Sequence, residues 1–231
     1  MSDIILVPGL WLDASSWSDV VGPLERAGHR ALPLTLPGVG APAAESADVG
    51  MDQWVDAVVA EIDGRHGPAV VVGHSGGGNV AWAAADRRPE AVSRVVLVDT
   101  VPPPNGQIIS EFPVVDGVVP FPGWDAFEPD DIADLDEDTR ARVAATARSV
   151  PARVPTDPLT LHDERRHGVP VTLLMGQADE TALRGMIAHW PEWAAELEAI
   201  ERLDVVRLGS GHWPQFSRPA ALAQAIAAAI A

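Results

Sequence analysis

Short apolar runs alternate along this chain with longer segments in which apolar and polar residues follow a helical period. Six short runs, rich in Val, Leu and Ile, have the length and composition of β-strands. They cover residues 4–9, 29–36, 69–74, 93–100, 169–176 and 203–209. The third, fourth and fifth runs are almost continuously apolar, which is typical of strands buried on both faces of a sheet.

Amphipathic segments between these runs predict helices over residues 16–27, 51–65, 77–88 and 181–201, the last with a break near Pro191, and from Arg218 to the C-terminus. Strands that alternate with helices form parallel sheets through helical crossovers. We therefore expect an α/β fold in which a mostly parallel sheet of about six strands is flanked by helices. A chain of 231 residues fits one domain, residues 1–231.

The alternation stops between residues 101 and 168. This stretch contains PPP, FPVVDGVVPFPGW, the acidic run EPDDIADLDED and the helix-like TRARVAATARSV. A segment of this length between two core strands is typically a lid when it is functional and a solvated excursion when it is not. The acidic run fits the second interpretation. Phe112, Phe121, Trp124 and Phe127 favour the first, because their apolar surface must cover something, so we interpret residues 101–168 as a lid insertion.

A glycine-rich stretch, GHSGGG, connects the third strand to the following helix. Residues 73–77 match G-x-S-x-G, a motif that places the serine on a sharp turn between a strand and a helix. Gly73 and Gly77 lack bulk where strand and helix approach each other, and the helix start directs free N–H groups towards Ser75. The alternative interpretation is a plain turn in which Ser75 is only a helix N-cap.

A nucleophilic serine needs a base within hydrogen-bond reach and a carboxylate that orients the base. His212, in GSGHWPQF, follows the sixth strand, and Asp179, in MGQADE, follows the fifth. Both lie at the edge where parallel strands present their carboxyl ends, and the order Ser75, Asp179, His212 is that of α/β-hydrolases. Asp99, at the end of the fourth strand, is the alternative acid, and the motif context favours Asp179.

The loop after the first strand, PGLW, faces the Ser75 turn across the expected switch point of the sheet. The backbone N–H groups of Leu10 and Gly76 are therefore the predicted oxyanion-hole donors. The residues expected to contact a substrate are aromatic: Trp11, Phe121, Trp124 and Trp213.

The amino-acid composition excludes several kinds of catalytic residue and disfavours several kinds of partner. All 16 basic residues are arginine and cysteine is absent, which excludes a Schiff-base lysine, a phosphate-loop lysine and a thiolate nucleophile. A formal net charge of -17 disfavours nucleic acid and anionic membranes as partners. No apolar run reaches the length of a membrane span and no leader pattern is visible, so we expect a cytoplasmic protein. The histidines lack partners at ligand spacing, so we expect no metal and no cofactor.

With these motifs, the chain resembles the α/β-hydrolase superfamily, and within it the small single-domain carboxylesterases that include plant methyl esterases and hydroxynitrile lyases. The resemblance runs through VPGLWLDASSW, AGHRALPLTLPG, VVVGHSGGGNVAW, VLVDTVPP, MGQADE and GHWPQFSRP, and is weakest over residues 104–167. It implies Ser75 as nucleophile, Asp179 as acid and His212 as base, with the oxyanion hole at Leu10 and Gly76.

Two departures from this family pattern bear on the reaction. The family usually has His-Gly after the first strand, whereas this chain has Pro8-Gly9. The lyase branch carries Thr at the position of Gly9 and Lys after the catalytic histidine, where this chain has Trp213. The resemblance therefore favours ester hydrolysis over cyanohydrin cleavage.

The expected function is a serine hydrolase that cleaves carboxylic esters or lactones of neutral, apolar small molecules through an acyl-enzyme. A thioesterase acting on carrier-bound acyl groups would use the same residues, but an acidic carrier would need a local basic patch such as Arg140, Arg142 and Arg148. A non-catalytic ligand-binding member of the fold would keep the pocket without turnover.

Overall fold

The computed structural model describes residues 1–230. Its strands are β1 (Asp3–Val7), β2 (Arg30–Pro33), β3 (Ala69–His74), β4 (Val92–Val98), β5 (Val118–Val119), β6 (Val150–Pro151), β7 (Val171–Met175) and β8 (Leu203–Arg207). Six of them form one parallel sheet in the order β2-β1-β3-β4-β7-β8, while β5 and β6 form a separate antiparallel pair. The α/β fold class and the six strands predicted from the apolar runs are confirmed.

Helices connect these strands. They are α1 (Ser18–Arg26), α2 (Ala43–Ser46), α3 (Met51–Asp63), α4 (Gly76–Arg87), α5 (Pro129–Ile132), α6 (Glu137–Thr146), α7 (Glu180–Ile187), α8 (Pro191–Ala199), α9 (Pro214–Ser217) and α10 (Pro219–Ala229). The break predicted near Pro191 separates α7 from α8. The last helix was predicted to reach the C-terminus; α10 ends at Ala229, and residue 231 lies outside the described residues.

Both faces of the sheet are buried, as the continuous apolar runs predict. On one face, side chains such as Ile5 and Val71 pack against α3 and α4. On the other face, side chains such as Ile4 and Val72 pack against α1 and α10. Neighbouring positions along a strand point to opposite faces, so a strand covered on both sides must be apolar at every position.

Strand order places three loops beside one another at the carboxyl edge of the sheet. The chain passes from β1 to β2 on one side of β1, and then crosses to β3 on the other side. A crevice opens at the carboxyl end of β1, where the direction of the strand order reverses. Val7 pairs with Gly73, and His74 pairs with Val98. The residues that follow β1, β3 and β4 therefore emerge together.

A buried ionic cluster ties α4 to α8. The Arg166 guanidinium lies between Glu196 on α8, with Nε 2.8 Å from Oε1, and Asp86 on α4, with one terminal nitrogen 3.3 Å from Oδ1. Asp86 also accepts hydrogen bonds from the backbone N–H groups of His162 and Asp163. Buried charges are tolerated when they are paired and hydrogen-bonded, so this cluster fixes α4 against the end of the 101–168 insertion.

The insertion joins the rest of the fold through a small apolar cluster. Leu135 and Val143 of the insertion pack with Leu12, from the loop after β1, and with Trp213, from the loop after β8.

Among residues 1–230, no helix is both long enough and apolar enough to cross a membrane.

Candidate active site

Ser75 occupies a strained turn between β3 and α4. Its φ of 52° and ψ of -127° lie in a region that side-chain-bearing residues rarely adopt. A Cβ atom on Gly73 would collide with the backbone of Gly77 and Gly78, and one on Gly77 would collide with the carbonyl oxygen of Pro8. The glycines of the G-x-S-x-G motif are therefore required by the close approach of strand and helix.

Ser75 and His212 lie in hydrogen-bond contact, as their motifs predict. The Ser75 Oγ atom is 2.9 Å from His212 Nε2, although 137 positions separate the residues in sequence. His212 comes from the loop after β8, at the same edge of the sheet as the turn after β3.

The carboxylate beside His212 belongs to Asp99. Its Oδ2 atom is 2.7 Å from His212 Nδ1, and its Oδ1 atom accepts a hydrogen bond from the Gly176 N–H at 2.7 Å. Burial alone raises the pKa of Asp99, but the hydrogen bond and charge of His212, together with the Gly176 N–H, outweigh burial and lower it. An ionised carboxylate only accepts, so Nδ1 donates to Asp99 and Nε2 is left to accept the Ser75 proton.

The prediction that Asp179 orients His212 is wrong. Asp179 is the N-cap of α7, and its Oδ1 atom accepts a hydrogen bond from the Ala182 N–H at 2.9 Å. Asp99 takes the position beside His212 because it ends β4, which pairs with β3, and because a φ of 49° turns the chain there. Both aspartates satisfy the order Ser, Asp, His, so the order along the chain does not distinguish them.

The two predicted oxyanion donors lie next to each other. A Cβ atom on Gly76 would be 3.2 Å from Leu10 Cγ, so the Leu10 side chain packs over Gly76. Within residues 1–230, the Leu10 N–H donates no hydrogen bond. Gly76 is the first residue of α4, where an N–H has no carbonyl partner inside the helix. The oxyanion-hole role of these two N–H groups stays a prediction.

His74 holds the backbone of His212. The His74 Nε2 atom is 2.8 Å from the His212 carbonyl oxygen, and His74 Nδ1 is 3.2 Å from Gln215 Nε2. Burial, and secondly the charge of His212, lower the pKa of His74 to about 3, so its ring is neutral at ordinary pH. A neutral ring that donates from Nε2 and accepts at Nδ1 satisfies both contacts. Sequence analysis did not identify this role, because a histidine beside the turn gives no sign of what its ring contacts.

A cavity of about 180 Å³ opens beside Ser75 and His212. Trp11 and Trp213, two of the residues predicted to contact a substrate, line it. Four further lining residues come from the insertion: Ile109, Ser110, Phe112 and Phe127. Of these, Ile109 and Ser110 carried no sequence signal, because they lie in a stretch without a periodic pattern.

Phe121 and Trp124 were also predicted to contact a substrate, which stays a prediction, but neither lines this cavity. They pack behind the aromatic residues that do. The Phe121 ring lies 5.8 Å from the Trp11 ring, and the Trp124 ring stands perpendicular to Trp213 at 5.0 Å. The Trp124 indole N–H also donates to the Arg140 carbonyl at 2.9 Å, which turns its polar edge away from the cavity.

A larger apolar cavity, of about 430 Å³, lies between the end of β4 and the helices α7 and α8. Met175, Met186, Trp190 and Trp193 are among its lining residues, and neither Ser75 nor His212 reaches it. The larger cavity is therefore separate from the hydrogen-bonded Ser75 and His212, which line the smaller one. Among residues 1–230, no group of three or more His, Cys, Asp or Glu side chains could hold a metal ion.

A serine, a histidine and an aspartate joined in this order by hydrogen bonds, at the carboxyl edge of a parallel sheet, define the class of α/β-hydrolases. Residues 4–225 match the model of the alpha/beta hydrolase family, and the chain belongs to that family.

Curated relatives match part of the chain. A carbendazim hydrolyzing esterase from Nocardioides sp. (strain SG-4G) is 32% identical over 108 residues, which are 46% of this chain and 45% of that protein. The probable esterase PIR7A of Oryza sativa subsp. indica is 35% identical over 108 residues, which are 45% of this chain and 40% of that protein. The matched segment thus spans less than half the length of these relatives.

Solved structures match almost the whole chain. An extracellular alpha/beta-hydrolase from a Paenibacillus species superposes with a TM-score of 0.78 at 19% identity, covering 99% of both chains. The methylesterase MES16 from Arabidopsis superposes with a TM-score of 0.73 at 19% identity, covering 100% of this chain and 99% of that one. At this identity the likeness concerns the fold.

Acidification should weaken the fold through His74. In the unfolded chain its ring has the ordinary histidine pKa of 6.5, whereas in the folded protein its pKa is about 3. Between these values only the unfolded state takes up the proton, so stability is present above pH 6.5 and is lost as the pH falls. At pH 5 the loss is about 2 kcal/mol, from about 1.4 kcal/mol per pH unit.

Urea unfolding at pH 7.5 and pH 5 measures this loss. The fall in the free energy of unfolding should be about 2 kcal/mol smaller in His74→Gln than in the wild type. The exposed His66 provides a control, and His66→Gln should show the wild-type fall. An unchanged fall in His74→Gln would contradict the assignment of a neutral His74.

Proposed function

We propose that this protein is a serine hydrolase that cleaves carboxylic esters or lactones of neutral, apolar small molecules through an acyl-enzyme. The observation that carries the proposal is the hydrogen-bonded series Ser75, His212, Asp99, with 2.9 Å and 2.7 Å between the paired atoms. Support also comes from the relatives that match in sequence, because they are named as esterases. Those names favour ester hydrolysis over the thioesterase alternative.

In the proposed mechanism, His212 Nε2 takes the Ser75 hydroxyl proton as Oγ attacks the ester carbonyl. The N–H groups of Leu10 and Gly76 bind the oxyanion, and each such donor typically contributes roughly 3 kcal/mol of transition-state stabilisation. Asp99 keeps the ring in the required tautomer and stabilises the imidazolium.

Collapse of this intermediate breaks the ester bond. His212 returns its proton to the leaving alkoxide, and the acyl group stays on Ser75 Oγ. A water molecule then gives a proton to His212 and attacks the acyl carbon. Collapse of the second intermediate breaks the bond to Ser75 Oγ, His212 returns the proton to that oxygen, and the acid is released.

The surroundings of Ser75 favour compact, neutral substrates. The cavity of about 180 Å³ is lined mainly by aromatic and aliphatic side chains. Such a surface gains roughly 25 cal/mol for each Å² of apolar substrate that it covers. A net charge of -17 repels anionic substrates before they reach the cavity.

Replacing the nucleophile tests the reaction directly. Ser75→Ala should abolish turnover of a neutral nitrophenyl ester while circular dichroism stays unchanged, because α4 begins after the serine and keeps its backbone hydrogen bonds. A serine-directed phosphonate should label the wild type at Ser75, as located by peptide mass spectrometry. Ser110 lines the same cavity and provides the matched control. Ser110→Ala should keep turnover and labelling, and label found at Ser110 in the wild type would refute the assignment.

Asn substitutions distinguish the two aspartates. Loss of the orienting carboxylate lowers turnover by roughly 10⁴-fold in comparable serine enzymes, so Asp99→Asn should lower kcat by about that factor. Asp179→Asn should retain near wild-type kcat, because Asn caps a helix about as well as Asp. Steady-state kinetics on the same ester compare the two variants. A crippled Asp179→Asn beside an active Asp99→Asn would assign the acid to the loop after β7.

Two phenylalanines of the insertion test the substrate class. Phe112 lines the cavity, whereas Phe121 packs behind it. If Phe112→Ala removes about 60 Å² of apolar contact, kcat/KM for a neutral aryl ester should fall roughly tenfold. Phe121→Ala should have a smaller effect.

A charged analogue completes this comparison. An aryl ester with a free carboxylate should have a lower kcat/KM than its neutral counterpart, and the gap should narrow at high salt because salt screens the repulsion. Preference for the charged ester, or equal effects of the two alanine variants, would contradict the proposed substrate class.

A further inference from the structure

One short segment of the insertion contacts the loop that carries His212. We name residues 129–135, which comprise α5 and the turn after it, the acidic turn, and residues 208–213, between β8 and α9, the histidine loop. The His212 N–H donates to the Asp131 carbonyl oxygen at 2.8 Å. The neighbouring Gly211 N–H donates to Asp134 Oδ2 at 2.9 Å. Consecutive N–H groups of the histidine loop are thus both held by the acidic turn.

The contact between the two segments is too close for any side chain at Gly211. A Cβ atom there would collide with the Asp131 carbonyl oxygen and would lie 2.5 Å from Asp134 Oδ1. Beside this contact, Leu135 packs with Trp213, the residue that follows His212. Hydrogen bonds and apolar packing therefore both join the acidic turn to the histidine loop.

Asp134 forms this contact although burial of its carboxylate costs stability. Its Oδ1 atom is buried and accepts no hydrogen bond among residues 1–230. The nearest cation, Arg218, has its Nε atom 4.0 Å from Oδ2. A buried carboxylate oxygen without a partner destabilises the fold. We therefore look for the role of Asp134 in the backbone that its other oxygen holds. What it holds is the backbone immediately before His212.

We propose that Asp134 is a positioning residue, which holds the histidine loop so that His212 is aligned between Ser75 and Asp99 only when the acidic turn is seated on that loop. This inference rests on the proposed function. Asp99 orients the His212 ring, and His74 and Asp131 hold its backbone carbonyl and N–H. Asp134 extends that support to Gly211. A displacement of about 1 Å in a reacting group can cost roughly 100-fold in rate, so a looser loop lowers turnover before it lowers binding.

Three variants isolate the hydrogen bond to Gly211. Asp134→Ala removes the acceptor and should lower kcat for a neutral nitrophenyl ester by roughly 10- to 100-fold, with KM changed by less than about threefold. Asp134→Asn keeps an acceptor oxygen and should stay within about threefold of the wild-type kcat. Asp130 is an exposed carboxylate on the same turn, and Asp130→Ala should leave both constants unchanged. Thermal unfolding of each variant identifies any general loss of stability.

A proton spectrum reports the position of His212 without turnover. The Nδ1 proton that His212 shares with Asp99 should give a strongly downfield signal in the wild type and in Asp134→Asn. Asp134→Ala should broaden the signal or remove it, because the loop no longer holds the ring against Asp99.

Outcomes of the two measurements separate this inference from the proposed function. A wild type without ester turnover refutes the proposed function, and the proton signal still tests the role of Asp134. An unchanged signal in Asp134→Ala overturns the inference, as does a rise in KM at constant kcat. Equal losses in Asp134→Asn and Asp134→Ala would also overturn it, because they would trace the effect to charge rather than to the acceptor oxygen.

Discussion

The position of His212 depends on four hydrogen bonds, which come from three parts of the chain: the end of β3 with the turn after it, the residue after β4, and the insertion. Ser75 and Asp99 contact the two ring nitrogens, His74 contacts the backbone carbonyl, and the Asp131 carbonyl accepts the backbone N–H. Residues 208–213 have no regular secondary structure, so these bonds take the place of a strand ladder or a helix. The contacts of Ser75, Asp99, His74 and Asp131 all meet at this loop.

The parallel sheet makes such convergence possible. β3 and β4 are neighbours, so Ser75 and Asp99 emerge side by side, and β8 ends at the same edge. Three non-glycine residues at this edge have positive φ: Trp11, Ser75 and Asp99. Such conformations cost of order 1–3 kcal/mol each and persist only when the surroundings enforce them. Here the enforcement comes from strands that are buried on both faces.

The insertion contributes both to the cavity beside Ser75 and to the support of His212. Phe112 and Phe127 form part of the cavity lining, while the acidic turn of the same segment contacts the loop of His212. One segment therefore both lines the cavity beside Ser75 and holds the backbone of His212. The extent of the lid, the cytoplasmic location and the absence of a nucleic-acid partner stay predictions.

Local pattern was sufficient to predict the strands, the Ser75 turn and the position of His212. Apolar runs specify strands buried on both faces, and G-x-S-x-G is a local motif whose glycines meet a local steric demand. Hence the sequence by itself determined the α/β fold, the candidate nucleophile and the histidine that contacts it. Each of these depends on residues that are close together in the chain.

Tertiary structure alone decided which aspartate contacts His212 and which residues of the insertion line the cavity beside Ser75. Asp99 and Asp179 both follow a strand at the same edge, and the choice between them depends on the backbone dihedral angles after β4 and on the Gly176 N–H, which Asp99 accepts. The insertion has no regular period, so its sequence does not tell which aromatic residues reach Ser75. Phe112 lines the cavity and Phe121 packs behind it because of contacts between segments far apart in the chain, and no local pattern encodes such contacts.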